Sequence, residues 1–345
     1  MIRASAPAAL FPLIQGFQLR QICIELILGD SFASIQLLNS DLDRFVDLAL
    51  PLFEALIGRR LFLMIHTVQL YRRIRLTVLI PIFVVLLGLA FGSFLNVCIS
   101  RLPRHESIVR PRSRCPRCAA PIAAGDNIPI LSWILLRGRC RHCNQSIAWR
   151  YPAVEFATAA LFLLSLLFFG LTVAGIGMAI LSFLLLGLAV MDAETMRLSD
   201  AFSLPGIALG IVYVGVAAAN STADFRPWVL GQMLGSIMWA LFAALLLLLI
   251  RWLYFLVRHQ QGLGMGDVKL LAMIAAWLGP APTILTLLLG CLAAAIFGVL
   301  SIAFSRGSRG LRTTRLPFGS FLCAAAIYTI FAGEPIIRWY LRFFP

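Results

Sequence analysis

The segment Gln261-Gly-Leu-Gly-Met-Gly-Asp-Val-Lys-Leu270 places three glycines, at 262, 264 and 266, directly before Asp267. An apolar run, 268–278, follows and carries one charge, Lys269. Glycine permits backbone angles and close approaches that other residues avoid, and a carboxylate at the edge of an apolar membrane segment is costly enough to suggest a function. The alternative is a glycine-rich turn whose aspartate caps the next helix. The remaining sequence is needed to choose between them.

The composition indicates a membrane protein. The chain has 345 residues, of which 61% are hydrophobic and 13% charged, and its mean hydropathy is +0.92. Soluble domains carry about 25% charged residues, and several apolar runs here reach the ~20 residues that a helix needs to cross a bilayer. We therefore predict an all-α polytopic membrane protein whose main partner is the lipid bilayer. The net charge of +14 does not indicate nucleic-acid binding, because basic residues accumulate in the cytoplasmic loops of membrane proteins.

About eight transmembrane helices are predicted, counting the short run after Asp267. The loop 101–151 holds ten arginines against Glu106 and Asp126, which predicts that this loop is cytoplasmic. Counting crossings from there places 192–200, 258–267 and 305–316 on the same side, although three arginines at 72–75 argue against an external N-terminus. The predicted spans are 76–97, 152–170, 171–191, 201–219, 228–257, 268–278, 283–304 and 317–332.

The domain organisation follows from these spans. We predict that residues 1–75 form an N-terminal extension of unknown role. Within it, 48–63 fits an interfacial amphipathic helix. The sequence is equally compatible with a start codon assigned too early, in which case the protein would begin at Met64. We see no cleavable signal peptide. The other predicted units are a first transmembrane helix (76–98), a cytoplasmic tetracysteine zinc-type domain (99–151), a helical core (152–335) and a C-terminal tail (336–345).

Two cysteine pairs within the large loop predict a metal site. Cys115-Pro-Arg-Cys118 and Cys140-Arg-His-Cys143 are separated by 21 residues, slightly more than is usual between such pairs. Two thiolate knuckles complete the tetrahedron that zinc prefers, and nearby arginines stabilise thiolates. Disulfides or free thiols are the alternative, and a reducing cytoplasm disfavours disulfides. We predict a structural Zn²⁺ on the four cysteines, with His142 as a substitute ligand.

The acidic residues offer a second kind of site. The predicted topology places Asp192 and Asp267 at the cytoplasmic ends of two spans, and Glu155, Glu194 and Asp200 are the other acids that could meet Asp267 there. Two apposed aspartates in a poorly solvated site share a proton, so that one activates water as a base and the other protonates a carbonyl. That is the apparatus of an aspartic protease. An ion or proton pathway uses carboxylates in the same setting, and the residues alone leave both readings open.

Longer blocks of sequence carry a resemblance. The first are Gly-Ser-Phe-Leu-Asn-Val (92–97) and Arg-Leu-Pro (101–103), and the loop adds Ser-Arg-Cys-Pro-Arg-Cys (113–118), Asp-Asn-Ile-Pro-Ile-Leu-Ser-Trp (126–133) and Arg-Gly-Arg-Cys-Arg-His-Cys (137–143). Arg-Tyr-Pro (150–152), Glu155, Gly-Met-Gly-Asp-Val-Lys-Leu-Leu (264–271) and Leu-Pro-Phe-Gly (316–319) follow in order. On these blocks the chain resembles the bacterial type IV prepilin peptidases, intramembrane aspartic proteases of the Gly-x-Gly-Asp class.

The resemblance implies a function and its site residues. The implied enzyme sits in the bacterial inner membrane with its active site facing the cytoplasm, and removes the basic leader from prepilins or pseudopilins of type IV pilus and type II secretion systems. It then methylates the new N-terminus with S-adenosylmethionine. The implied catalytic residues are Asp192 and Asp267. Supporting residues are expected at Gly264, Gly266, Lys269 and Asp200.

The chain departs from the family pattern at two positions. Ser199 stands where the family commonly has proline, and Gln261 where it commonly has glutamate. Lys269 is expected either to reach lipid headgroups or to tune the aspartates. The alternatives to the implied function are a peptidase without methyltransferase activity and a zinc-bearing membrane transporter that uses the carboxylates for ions.

Overall fold

The computed structural model describes residues 59–110, 112–115, 117–220, 225–260, 263–304 and 316–343. The chain divides into two compact units, Met1–Ile80 and Pro81–Pro345. Of the first unit only residues 59–80 are described, and they are helical. Most of the expectations for residues 1–70 therefore lie outside the described residues. Both predicted sites belong to the second unit.

The described residues form nine α-helices and no strand, which confirms the all-α prediction. Two isolated antiparallel bridges, Arg114 with Pro121 and Arg139 with Ser146, occur in the cysteine loop, as do single 3₁₀ turns at Leu102–Arg104 and Ala124–Asn127. The helices are α1 (Arg59–Arg101), α2 (Leu131–Leu135), α3 (Arg150–Phe169), α4 (Val173–Thr195), α5 (Asp200–Ala219), α6 (Phe225–Arg258), α7 (Met265–Leu278), α8 (Pro280–Phe304) and α9 (Phe318–Leu341).

Seven stretches among the described helices are long and apolar enough to cross a membrane. They lie in α1, α3, α4, α5, α6, α8 and α9. The eighth predicted span is α7, whose 14 residues extend only about 21 Å at the rise of an α-helix, short of a ~30 Å hydrocarbon core. From Leu270 to Leu278 every α7 residue is buried, because α5, α6, α8 and α9 all contact it. A helix that is apolar all round is expected in such a position.

Local signals explain where the helices around the site begin and end. α3 ends at Gly170, whose φ of +67° suits glycine, and α4 begins after Thr172, whose hydroxyl accepts the N–H of Gly175 at 3.1 Å. The two spans therefore form a tight hairpin, in keeping with their predicted bounds, 152–170 and 171–191, which leave no loop between them. The hydroxyl of Ser199 caps α5 by accepting the N–H of Ala201 at 3.3 Å. Serine is a favoured capping residue, so it suits this position although the resembled family commonly has proline there.

Small residues allow α7 to pack tightly on α5. The indole N–H of Trp277 donates to the carbonyl of Gly206 at 2.8 Å, and the Trp277 ring stacks on Tyr213 with 5.0 Å between centroids. A Cβ added to Gly210 would lie 2.6 Å from Cδ1 of Trp277, so only glycine allows this approach. This contact anchors the helix that carries Asp267.

A similar contact joins α1 to α3. A Cβ at Gly92 would lie 2.6 Å from Cα of Glu155, and one at Gly88 would lie 2.6 Å from Cα of Ala159. The amide of Asn96 donates to the carbonyl of Tyr151 at 3.0 Å. Small residues near the end of the first span therefore permit close helix packing, and the two helices hold both ends of the cysteine loop.

Candidate active site and metal centre

Asp192 lies in the last turn of α4 and is buried. Its Oδ2 accepts the backbone N–H of Ser320 at 2.8 Å and lies 3.1 Å from Oγ of the same serine. Ser320 belongs to the first turn of α9, which begins at Phe318. The N–H groups of a helical first turn have no partner within the helix and favour an anion. The N-terminus of α9 thus meets the carboxylate at the end of α4.

Asp267 lies in the first turn of α7 and is half-buried. Its Oδ2 accepts the N–H of Gly264 at 3.3 Å, a long hydrogen bond. Asp267 and Asp192 are close enough to interact electrostatically, and Cys323, buried on α9, interacts with both. The structure therefore brings together the two aspartates that the sequence singled out, from helices whose site residues are 75 positions apart.

Leu198 packs against Gly266, next to Asp267, and against Gly319, which abuts Asp192. A Cβ at Gly266 would lie 2.8 Å from Cβ of Leu198, and a Cβ at Gly319 would lie 3.0 Å from Cδ1 of Leu198 and 3.0 Å from Oδ2 of Asp192. The close approach that Gly266 permits is therefore used by a side chain of this protein. Gly264 is exposed, and a Cβ there would lie 3.1 Å from Oδ2 of Asp267. Gln261 and Gly262 lie outside the described residues.

Lys269 pairs with Asp200. Its Nζ lies 2.7 and 2.8 Å from the two carboxylate oxygens, so the contact joins the second turn of α7 to the first residue of α5. The side chains are 30% and 58% exposed, and ion pairs this accessible contribute little to stability. Lys269 therefore neutralises Asp200, a role that neither of the two expectations for this lysine included.

The remaining candidate acids have structural partners. Glu155 is buried on α3 and accepts the N–H of Ile130 at 2.7 Å, which attaches the loop to the second turn of that helix. Ile130 has φ +58°, an unfavourable angle for a β-branched residue, and the bond to Glu155 helps to hold it. Glu194 forms an ion pair with Arg150, with 2.5 Å between Oε2 and Nη1. Of the acids considered from the sequence, Asp192 is the one that is electrostatically coupled to Asp267.

The four predicted metal ligands converge in the loop. The sulfurs of Cys115, Cys118, Cys140 and Cys143 all lie within 4.8 Å of one another, and those of Cys115 and Cys143 are 3.8 Å apart. A tetrahedral Zn²⁺ with Zn–S bonds of about 2.3 Å requires S–S distances of about 3.8 Å. The donor set and its spacing therefore fit zinc. His142 is exposed and is not part of the group.

The two cysteine knuckles have the same backbone structure. In the first knuckle, the N–H of Cys115 donates to the carbonyl of Ala120, and the carbonyl of Cys115 accepts the N–H of Ala119, each at 2.9 Å. In the second, Cys140 makes the same two bonds, to the carbonyl of Gln145 and from the N–H of Asn144, also at 2.9 Å. The residue after the second cysteine has positive φ in each knuckle, +56° at Ala119 and +57° at Asn144. This repetition presents two pairs of sulfurs to a common centre.

Backbone donors favour thiolates in both knuckles. The N–H groups of Cys118 and Arg117 lower the pKa of Cys115 to about 6, and those of Cys143 and His142 lower the pKa of Cys140. The N–H of Gln145 likewise favours a thiolate at Cys143, but burial and the adjacent sulfurs raise its pKa to about 11. Several sulfurs this close together are not all deprotonated unless a cation lies between them.

Comparison with known proteins identifies the family. Residues 86–169 match the model of the bacterial peptidase A24 N-terminal domain, and residues 179–299 match that of the type IV leader peptidase family. A protein named prepilin leader peptidase/N-methyltransferase from Pseudomonas aeruginosa is 35% identical over 285 residues, covering 75% of this chain and 92% of that protein. The chain belongs to the type IV leader peptidase family. The resemblance found in the sequence blocks is thereby confirmed.

Other members of the type IV leader peptidase family give the same picture. The prepilin leader peptidase/N-methyltransferase from Aeromonas salmonicida is 34% identical over 287 residues, and the match covers 75% of this chain and 92% of that protein. The protein of the same name from Burkholderia pseudomallei is 35% identical over 278 residues, and the match covers 73% of this chain and 85% of that protein. No solved structure matches the chain.

From the sequence, α9 was expected only as a membrane span, 317–332. This helix lies beyond residue 299, where the match to the leader peptidase model ends, yet its first turn contacts Asp192 through Ser320. The available signal was Leu-Pro-Phe-Gly at 316–319, which carried part of the resemblance and directly precedes Ser320. Its position in the chain gave no indication that it would meet residue 192.

Proposed function

We propose that this leader peptidase is a membrane aspartic endopeptidase that removes the short basic leader from prepilins or pseudopilins and N-methylates the new N-terminal residue. The observation that carries the proposal is the apposition of Asp192 and Asp267 at the ends of two helices. Its relatives are named prepilin leader peptidase/N-methyltransferase. The transporter alternative has no comparable support.

The aspartates would share the proton transfers of peptide hydrolysis. One carboxylate takes a proton from water as the water oxygen adds to the scissile carbonyl carbon, and the other carboxyl gives its proton to the carbonyl oxygen. When the C–N bond breaks, the first carboxyl returns its proton to the leaving nitrogen, and the second recovers a proton from a hydroxyl of the tetrahedral intermediate. No covalent enzyme intermediate forms, and both groups end in their starting states.

The position of the dyad suits a substrate with a basic leader and a long apolar helix. The apolar helix would lie laterally among the spans, which brings the scissile bond to the membrane boundary where α4 ends and α7 begins. The exposed Gly264 lies beside Asp267 and would let the substrate backbone approach. The arginine distribution of the loops supports an active site on the cytoplasmic side of the bacterial inner membrane.

The cysteine loop would act as a structural zinc domain. Cys115, Cys118, Cys140 and Cys143 would hold the ion, which cross-links the two knuckles and leaves no open coordination position for chemistry. The N–H of Ile130 on Glu155 attaches this loop to α3, and the amide of Asn96 on Tyr151 joins the two helices from which the loop leaves and to which it returns. We infer that residues 99–151 form this domain and that the helical core 152–335 carries hydrolysis, with its last helix continuing to Leu341. Methylation would take its methyl group from S-adenosylmethionine.

The test uses membranes containing the full chain and a synthetic prepilin. Mass spectrometry of the products should show a leader-free peptide, and adding S-adenosylmethionine should increase its mass by one methyl group. Cleavage without any methylated product would leave a peptidase alone. The absence of any leader-free peptide, with the protein present in the membrane, would refute the proposed function.

A further inference from the structure

We propose that Ser320 is a positioning residue that holds Asp192 as the ionised member of the dyad, so that Asp192 is the base and Asp267 the acid. This inference rests on the proposed peptidase function and deepens it. It also extends the site to α9, which lies outside the region matched by the leader peptidase model.

The two carboxylates differ in their hydrogen-bond donors. Oδ2 of Asp192 receives the N–H of Ser320 at 2.8 Å and has the serine hydroxyl 3.1 Å away, whereas Asp267 receives one N–H, from Gly264, at 3.3 Å. The Ser320 N–H also lies 3.1 Å from the carbonyl of Pro317, so Asp192 is its nearer acceptor. Short bonds from donors to a charged acceptor are the stronger ones. The negative charge of the dyad therefore belongs on Asp192.

Ser320 can serve Asp192 in both protonation states. Oγ lies 2.8 Å from the carbonyl oxygen of Ala189 and 3.1 Å from Oδ2 of Asp192, and a hydroxyl has one proton to donate and lone pairs to accept. Although the carbonyl of Ala189 is the nearer acceptor, a charged acceptor makes the stronger hydrogen bond, so the hydroxyl donates to Oδ2 while Asp192 is ionised. Once Asp192 has taken a proton from water on its other carboxyl oxygen, Oδ2 still accepts the N–H of Ser320, and the hydroxyl proton turns to Ala189. The carboxyl thus keeps one orientation through the catalytic cycle.

The charged groups around Asp192 do not compete with this role. The titratable groups that face it are Asp267 on α7 and Cys323 on α9, which is fully buried. Glu194, two residues later on α4, is paired with Arg150. Asp200, at the start of α5, is paired with Lys269. The donors from α9 therefore distinguish Asp192 from Asp267.

The test is the pH profile of leader cleavage by Ser320→Ala in membranes. The variant keeps the backbone N–H and loses the hydroxyl, so we expect kcat to fall about tenfold, and the acid limb to move to higher pH by about one unit. The sign follows because the base must be ionised, and the ionised carboxylate has lost a donor. Ser320→Thr keeps a hydroxyl and should restore both properties.

Ser165→Ala is the matched control. Ser165 also lies in a membrane helix and donates to a backbone carbonyl, that of Leu161 at 2.9 Å. It is on α3, away from the aspartates, and is buried, whereas Ser320 is half-buried. The pH profile of leader cleavage by Ser165→Ala should equal that of wild type. If the alanine variant folds poorly, Ser320→Gly replaces it. Glycine removes the same hydroxyl, so the same fall in kcat and the same shift of the acid limb are expected.

Three results would overturn the role of Ser320. They are an acid limb that coincides with that of Ser165→Ala, an acid limb that moves to lower pH, and a folded Ser320→Thr that restores neither property. Wild-type protein that cuts no prepilin at any pH would instead refute the proposed function itself. An active wild type with an unshifted Ser320→Ala variant would refute only the role of Ser320.

Discussion

The substitution Gly319→Ala should impair catalysis while leaving the fold intact. Gly319 lies in the first turn of α9 and is buried. A Cβ at this position would lie 3.0 Å from Oδ2 of Asp192, 3.2 Å from its Cγ, and 3.0 Å from Cδ1 of Leu198. Ordinary contacts of a Cβ begin at 3.4 Å. The Asp192 carboxylate must therefore move by about 0.4 Å, since Leu198 prevents the added methyl group from turning away.

The size of the effect follows from this displacement. A misplacement of about 1 Å costs on the order of 10²-fold in rate, so about 0.4 Å corresponds to a roughly five- to tenfold lower kcat. Folding should survive, because alanine is up to about 1 kcal/mol more favourable than glycine within a helix, which offsets part of the strain. We expect a slower enzyme with a nearly unchanged melting temperature.

The assay compares initial rates of leader cleavage at matched protein amounts in membranes, together with thermal unfolding of the purified protein. Gly235→Ala on α6 is the control, because a Cβ there would meet nothing within 4 Å. It should cleave like wild type and be more stable by about 1 kcal/mol. If Gly319→Ala cleaves as fast as Gly235→Ala, the N-terminus of α9 does not abut the reacting carboxylate, and the site geometry argued above is wrong.

Three further substitutions test separate parts of the structure. Cys143→Ser should lower the zinc content per molecule, measured by elemental analysis, because it removes one of four ligands, whereas Cys291→Ser should not; equal zinc in both variants would contradict the site. Lys269→Met should leave cleavage within about threefold of wild type, because its exposed pair with Asp200 contributes less than about 1 kcal/mol; complete inactivity would show a role in the dyad. Trp277→Phe should destabilise the protein by about 1–3 kcal/mol in denaturant unfolding, because a buried carbonyl loses its donor, and an unchanged midpoint would refute that bond.

Much of the helical architecture could be predicted, because hydropathy and turn residues are local signals. The tight hairpin at Gly170 and the start of α5 after Ser199 both follow from residues within a few positions of the helix ends. The cysteine cluster was predictable for the same reason, since each knuckle is encoded by a short spacing. The run 268–278 was counted as a span because its composition is apolar, whereas its burial among four helices depends on the whole fold.

The parts of the site that the sequence did not reveal depend on contacts between distant residues. Ser320 bonds to a residue 128 positions away, and Lys269 to one 69 positions away. No periodicity or spacing encodes such pairs. Leu198 also gave no signal, because an apolar residue in a short connection is unremarkable until Gly266 and Gly319 are seen to pack against it. The sequence singled out the two aspartates through the rarity of charge in its apolar segments and through the resemblance, but it gave no indication of their hydrogen-bond partners.

The most direct test of the proposed dyad is leader cleavage by Asp192→Asn, Asp267→Asn and Asp200→Asn, compared with wild type in membranes at matched expression. Asparagine keeps the shape of aspartate and removes its charge and its proton chemistry. The account predicts that the first two variants are inactive, and that Asp200→Asn retains most activity, because Asp200 pairs with Lys269 outside the dyad. An inactive Asp200→Asn beside an active Asp192→Asn would contradict the assignment of Asp192 and the role proposed for the N-terminus of α9.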